Sequence, residues 1–77
     1  MCIQVIKSID LRGVPCPLSF VRAKLHLEKL ESGQVLEVLL DAGEPIEQVP
    51  NSLISDGHLV KSIDERDRFF ALTVQKA

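Results

Sequence analysis

Thiols are the strongest nucleophiles this chain carries, and one of its two cysteines stands in an unusual setting. Cys16 lies between two prolines in Asp10-Leu11-Arg12-Gly13-Val14-Pro15-Cys16-Pro17-Leu18-Ser19. Proline is favoured at the first helical position, so Pro17 puts the Cys16 sulfur at the N-cap of the helix that follows. There the free N–H groups and the positive end of the helix dipole point toward it. Such a position lowers a thiol's pKa from about 8.5 toward or below neutral and yields the anionic nucleophile. A sulfane sulfur carried on the thiol would gain from the same field. The bland alternative is a buried, inert thiol, but a loop-to-helix junction bracketed by prolines is not a core environment.

Neighbouring residues extend this candidate site. Arg12 is close enough in sequence to add positive charge. Ser19, counted from Cys16 as N-cap, is the third helical residue, and its N–H is a candidate donor to the sulfur. His26 stands ten residues into the helix, roughly 15 Å from the Cys16 end at 1.5 Å per residue, so it is read as a surface residue beside Arg22 and Lys29 and not as a general base. His58 follows Gly57 and reads as a strand-start surface residue. Cys2 reads as a frayed terminal thiol. An extended Ile3 to Asp10 would hold its ends roughly 26 Å apart, far beyond the reach of a Cys2–Cys16 disulfide. Two Cys and two separated His do not match a metal site, and no cofactor is implied.

These residues need elements to hold them. Ile3, Val5, Ile6 and Ile9 mark a strand from Ile3 to Asp10, followed by a loop. Pro17 to Glu31 contains no breaker, is rich in helix formers and stops at Ser32-Gly33, which gives the first helix. Gln34 to Leu40 reads as a second strand, closed by Asp41-Ala42-Gly43-Glu44-Pro45. Ile46, Val49 and Leu53 recur at helical spacing, with Pro50 best placed at the first position of the main helical stretch. Asp56-Gly57 ends that helix. Two strands follow, His58 to Ile63 and Arg68 to Gln75, with Asp64-Glu65-Arg66-Asp67 as the hairpin link.

The order βαβαββ predicts an α+β fold: a two-layer α/β sandwich with a four-stranded mixed sheet and both helices on one face. The other face is left open, with Val35 and Phe69 on it. On the first helix Phe20, Ala23, Leu27 and Leu30 form the sheet-facing stripe. Leu18, Val21 and Leu25 form a second stripe on roughly the opposite side. Packing against the second helix is the favoured reading of this second stripe, and docking of a partner beside Cys16 is the other.

Seventy-seven residues leave room for one domain and one core, so residues 1–77 are read as a single domain. The chain is 45% hydrophobic and 26% charged, a globular balance with an aliphatic core. A net charge of −2 argues against direct nucleic-acid binding. The N-terminus lacks the pattern of a secretion signal, and no apolar run reaches membrane-spanning length. The resulting expectation is a cytoplasmic protein with reduced thiols and no membrane contact.

Asp10-Leu11-Arg12-Gly13, Cys16-Pro17, Arg22-Ala23-Lys24, Asp41 with Pro45, and Gly57-His58 together resemble the TusA-like sulfurtransferase family over essentially the whole chain. The resemblance implies a sulfur carrier that accepts a persulfide on Cys16. The donor it implies is a protein such as a cysteine desulfurase or a rhodanese-type enzyme. A downstream acceptor protein then takes the sulfur, toward tRNA thiolation or other sulfur trafficking. By the same resemblance, Arg12 and Lys24 contribute to the surface that relay partners read. One position departs from the family pattern: Ser19 stands where a second proline is usual in Cys-Pro-x-Pro.

Two other classes remain open at this level. Cys16-Pro17-Leu18-Ser19, with Val49-Pro50, also resembles a monothiol glutaredoxin pattern, although such chains place a strand straight after that proline and finish on a helix. A non-catalytic protein-binding module using the open sheet face is the third reading.

Overall fold

β-Branched and aliphatic residues in short runs, separated by glycine-marked turns, build four strands, and two longer segments of helix formers build two helices. In chain order these are β1 (Val5–Asp10), α1 (Leu18–Glu28), β2 (Val35–Asp41), α2 (Glu44–Ser55), β3 (Leu59–Glu65) and β4 (Phe69–Gln75). The computed structural model describes residues 5–15 and 18–77. Cys16, Pro17, Cys2 and the expected start of the first strand at Ile3 lie outside the described residues.

The sheet has the order β1-β2-β4-β3. β1 runs parallel to β2, and β4 is antiparallel to both β2 and β3. β3 is therefore parallel to β2, and both helices are crossovers between parallel strands that move in the same direction across the sheet. A right-handed crossover repeated in one direction puts both helices on one face. This is the two-layer α+β arrangement expected from the element order.

Alternation along β2 sets the core. Leu36, Val38 and Leu40 are fully buried. They stand opposite Val74, Leu72 and Phe70 of β4 in register. Ala23 and Leu27 of α1 and Val49 and Leu53 of α2 cover them and complete one apolar cluster. Val35, on the other face, is only 4% exposed, and Phe69 is half-buried, so neither is the free open-face residue expected.

Three local readings are corrected. α1 ends at Glu28, and Lys29 and Leu30 donate backbone bonds to His26 and Leu27, the tightened last turn common at helix ends. Pro50 does not open the second helix but lies inside it, buried. That helix starts earlier because the Gly43 carbonyl accepts the Glu47 N–H and Pro45 occupies its first turn, where a missing N–H costs nothing. Beside Pro50, the Asn51 side-chain amide donates to the Glu47 carbonyl at 3.1 Å. The hairpin turns over Asp67 and Arg68, closed by Arg66 N–H donating to the Phe69 carbonyl at 2.7 Å. Arg68 takes a left-handed φ of 67°, so it belongs to the turn and not to β4, and β3 extends to Glu65.

Candidate functional site

The loop that delivers the chain to Cys16 is anchored at nearly every residue. Leu11 is 4% exposed, and its N–H continues the parallel ladder by donating to the Leu39 carbonyl at 2.9 Å. Arg12 then folds back on Asp10. Its backbone N–H and Nε donate to Asp10 Oδ1 at 3.0 and 2.9 Å, and Nη2 donates to Oδ2 at 2.7 Å. This is the paired-fork geometry that makes arginine–carboxylate contacts directional. The guanidinium lies 4.6 Å from the centroid of the Phe69 ring, a cation–π distance. Hydrogen bonds from the Arg12 side chain, and then from its backbone, hold the Asp10 carboxyl down at about 2, and the same pairing raises the Arg12 pKa.

Gly13 follows with a φ of 82°, a left-handed conformation that L side chains resist. Its N–H donates to Asp41 Oδ2 at 2.6 Å. Val14 N–H closes the turn onto the Leu11 carbonyl at 3.1 Å, and its side chain packs on the core. Asp10 from β1 and Asp41 from the end of β2 thus grip the loop with one carboxylate each. Sequence reasoning took Asp10 and Asp41 only as parts of the family pattern and placed Phe69 on the open sheet face, and assigned none of them to this loop. The available signal was that both parallel strands end on Asp.

Ser19 departs from expectation. Its N–H donates to the Pro15 carbonyl at 3.0 Å, so this amide belongs to the helix bond pattern and is not a donor reserved for the Cys16 sulfur. The Ser19 side chain is fully buried, in line with Ala23 and Leu27, and its Oγ has no hydrogen-bond partner among the described residues. The N-cap placement of Cys16 beside Pro17 itself falls outside those residues.

Arg12 and Lys24 enter separate contacts. Arg12 is held at the loop, whereas Lys24 Nζ lies 3.7 Å from Asp56 Oδ2 at the C-terminal end of α2. His26 is not a surface residue: it is half-buried, and its Nδ1 is buried without a hydrogen-bond partner among the described residues. Burial first, then the charges of Lys7 and Lys29, lower its pKa. His58 is half-buried, donates its N–H to the Leu53 carbonyl and accepts the Ala77 N–H on Nδ1 at 3.2 Å, a closing contact for the chain's last strand.

The second stripe of α1 is exposed, against the reading that packs it on α2. Leu18, Val21 and Leu25 are 42%, 43% and 52% exposed. The reason is geometric: α1 meets the core through Ser19, Ala23 and Leu27, which turns this stripe outward. Among the described residues there is no grouping of His, Cys, Asp and Glu that could hold a metal ion, and no helix is long and apolar enough to cross a membrane.

Known proteins resemble this chain in sequence and in fold. A protein from Archaeoglobus fulgidus bearing the name "Putative sulfur carrier protein" is 36% identical over 63 residues, covering 82% of this chain and 72% of its own. One of the same name from Thermotoga maritima is 37% identical over 62 residues, covering 80% of this chain and 78% of its own. The crystal structure of a SirA-like protein from Desulfitobacterium hafniense superposes with a TM-score of 0.78 at 25% identity, over 91% of this chain and 96% of that one. The family model described as sulfurtransferase TusA matches residues 7–76, which include the gripped loop, both helices and the closing hairpin. With fold, loop and sequence in agreement, the chain belongs to the TusA sulfurtransferase family of sulfur carriers.

Proposed function

We propose that residues 1–77 act as one cytoplasmic sulfur-carrier domain in which Cys16 accepts sulfane sulfur and relays it. The Cys16 thiolate attacks the terminal sulfur of a donor protein's persulfide. The S–S bond to the donor cysteine breaks, that cysteine leaves as a thiolate, and Cys16 now carries the persulfide. No net oxidation occurs, because one S–S bond is exchanged for another. The donor is a cysteine desulfurase or a rhodanese-type enzyme, and an acceptor protein takes the sulfur onward to tRNA thiolation or other sulfur trafficking.

The observation that carries this reading is the loop before Cys16, gripped by Asp10 and Asp41 and opening onto a helix whose outer apolar stripe begins at Leu18. An anchored loop presents the thiol reproducibly, and the exposed stripe offers apolar area for donor and acceptor in turn. Arg12, Ser19 and Lys24 support the site as loop clamp, buried helix residue and helix-surface cation, and Pro17 supports it as the residue that the sequence places at the first helical position. The redox alternative loses its footing in the fold, since Pro50 sits inside a helix and no strand follows it directly.

Intact mass after incubation with a cysteine desulfurase and cysteine tests the proposal. The expected result is a reductant-reversible gain of one sulfur atom that is absent in Cys16→Ser. A protein that gains none, yet reduces glutathione mixed disulfides, belongs to the redox class instead.

A further inference from the structure

Asp41 closes the end of β2, on a different element from the loop that carries Cys16, yet its carboxylate reaches that loop. Gly13 N–H donates to Asp41 Oδ2 at 2.6 Å, three residues before Cys16. This is the one contact among the described residues in which a side chain outside β1 and its following loop accepts a hydrogen bond from that loop's backbone. Bonds to a carboxylate are short and roughly twice as strong as neutral ones. Around it the loop has three further holds: the Asp10–Arg12 pair beside Phe69, the buried Leu11, and the Val14 N–H on the Leu11 carbonyl. The Val14 bond closes the turn that contains Gly13, but among the described residues only Asp41 takes the amide of Gly13 itself, the residue whose left-handed φ of 82° turns the chain.

We infer that Asp41 is a positioning residue for Cys16: through the Gly13 amide it fixes the turn that leads into Cys16, and so sets the thiol's reactivity. The inference rests on Cys16 being the reactive centre. Asp41 acts in opposition to its own charge. A bare negative charge near a thiolate raises the thiol pKa, so deleting it would make Cys16 more acidic. Loss of the positioning bond works the other way, because a thiolate on a loosely held loop keeps fewer stabilising donors and the anion is less favoured.

The two effects separate in the pH profile of Cys16 alkylation by iodoacetamide, measured in a Cys2→Ser background so that one thiol reports. Asp41→Ala is expected to slow alkylation at neutral pH about tenfold and to move the profile's midpoint upward by about one unit, with the helical circular dichroism retained. Asp41→Asn keeps an acceptor for Gly13 N–H and removes the charge. It is expected to recover most of the rate, with a midpoint at or below that of the unaltered residue. If both variants shift the midpoint down, Asp41 acts only as a charge and the positioning role is overturned. The role is equally overturned if neither variant moves the midpoint. Failure of the underlying reading has a different signature: in the protein with Asp41 intact, Cys16 would alkylate no faster than a free cysteine peptide.

Discussion

A buried hydroxyl without a partner is a standing cost, and Ser19 carries one among the described residues. Leaving a polar group unsatisfied inside a protein costs about 1 to 3 kcal/mol, part of which is recovered when the group is deleted. Ser19→Ala is therefore expected to stabilise the fold by about 1 kcal/mol and to raise the melting temperature by roughly 4 to 8 °C for a domain of this size. Thermal denaturation decides it, and a lower melting temperature would show that the hydroxyl is bonded after all. Asp10 makes a second residue-level case. Its carboxyl, held at about 2 by Arg12, is depressed below its unfolded value near 4, so its contribution is complete above about pH 4 and is lost as pH falls through about 2. Protection of the Arg12 backbone amide, which donates to Asp10, is expected to fall across that window once its exchange rate is divided into the intrinsic rate at each pH. In Asp10→Ala, which lacks the acceptor, that protection should be absent at every pH.

The first helix is amphipathic in an unusual sense, apolar on two sides. Its inner side buries Ser19, Ala23 and Leu27, with Phe20 half-buried against the same core. Its outer side keeps Leu18, Val21 and Leu25 in solvent, beside Arg22. An exposed stripe costs nothing to replace if its role is external, since surface substitutions usually fall within about 0.5 kcal/mol. Leu25→Glu is expected to leave the melting temperature almost unchanged and the iodoacetamide rate of Cys16 unaltered. Sulfur transfer from a cysteine desulfurase should slow about tenfold. Equal transfer rates for the variant and the unaltered chain would remove the stripe from the docking surface. The second helix shows the reverse arrangement, tolerating Pro50 in its interior because Val49, Pro50 and Leu53 are all buried on the core side.

Taken whole, the molecule rests on one small aliphatic cluster. At roughly 0.05 to 0.15 kcal/mol per residue, a chain this short is stable by about 4 to 12 kcal/mol. Leu53 is fully buried where α2 meets the sheet, and a buried Leu→Ala change costs about 2 to 5 kcal/mol. Leu53→Ala is thus expected to remove a large share of the total, seen as a clear fall in the denaturant midpoint. His26 adds a pH dependence of the whole fold. Its pKa is lowered in the folded state, chiefly by burial and further by Lys7 from β1 and Lys29 just beyond α1. The unfolded chain therefore binds the proton more readily. The stability gained by keeping His26 neutral is present above about pH 6.5 and declines as pH falls below it. Denaturant midpoints measured from pH 8 to pH 5 should decline less steeply in His26→Gln.

Local chemistry carried much of this in the sequence alone. Glycine and proline punctuation, β-branched runs and helical spacing placed six elements in order, and the handedness of crossovers turned that order into a two-layer sheet with both helices on one face. Cys16-Pro17 after an Asp-Leu-Arg-Gly run marked the candidate reactive centre, because the motif is contiguous. What contiguity does not contain is pairing between distant segments. Asp41 reaches Gly13 only because β1 and β2 lie side by side and parallel, ending at the same edge of the sheet. Arg12 stacks on Phe69 only because β4 inserts next to β2. The outward turn of Leu18, Val21 and Leu25, the half-burial of His26 and the inclusion of Pro50 within α2 were likewise decided by packing. Each depends on where a helix sits over the sheet, a relation between elements that no single element's periodicity specifies.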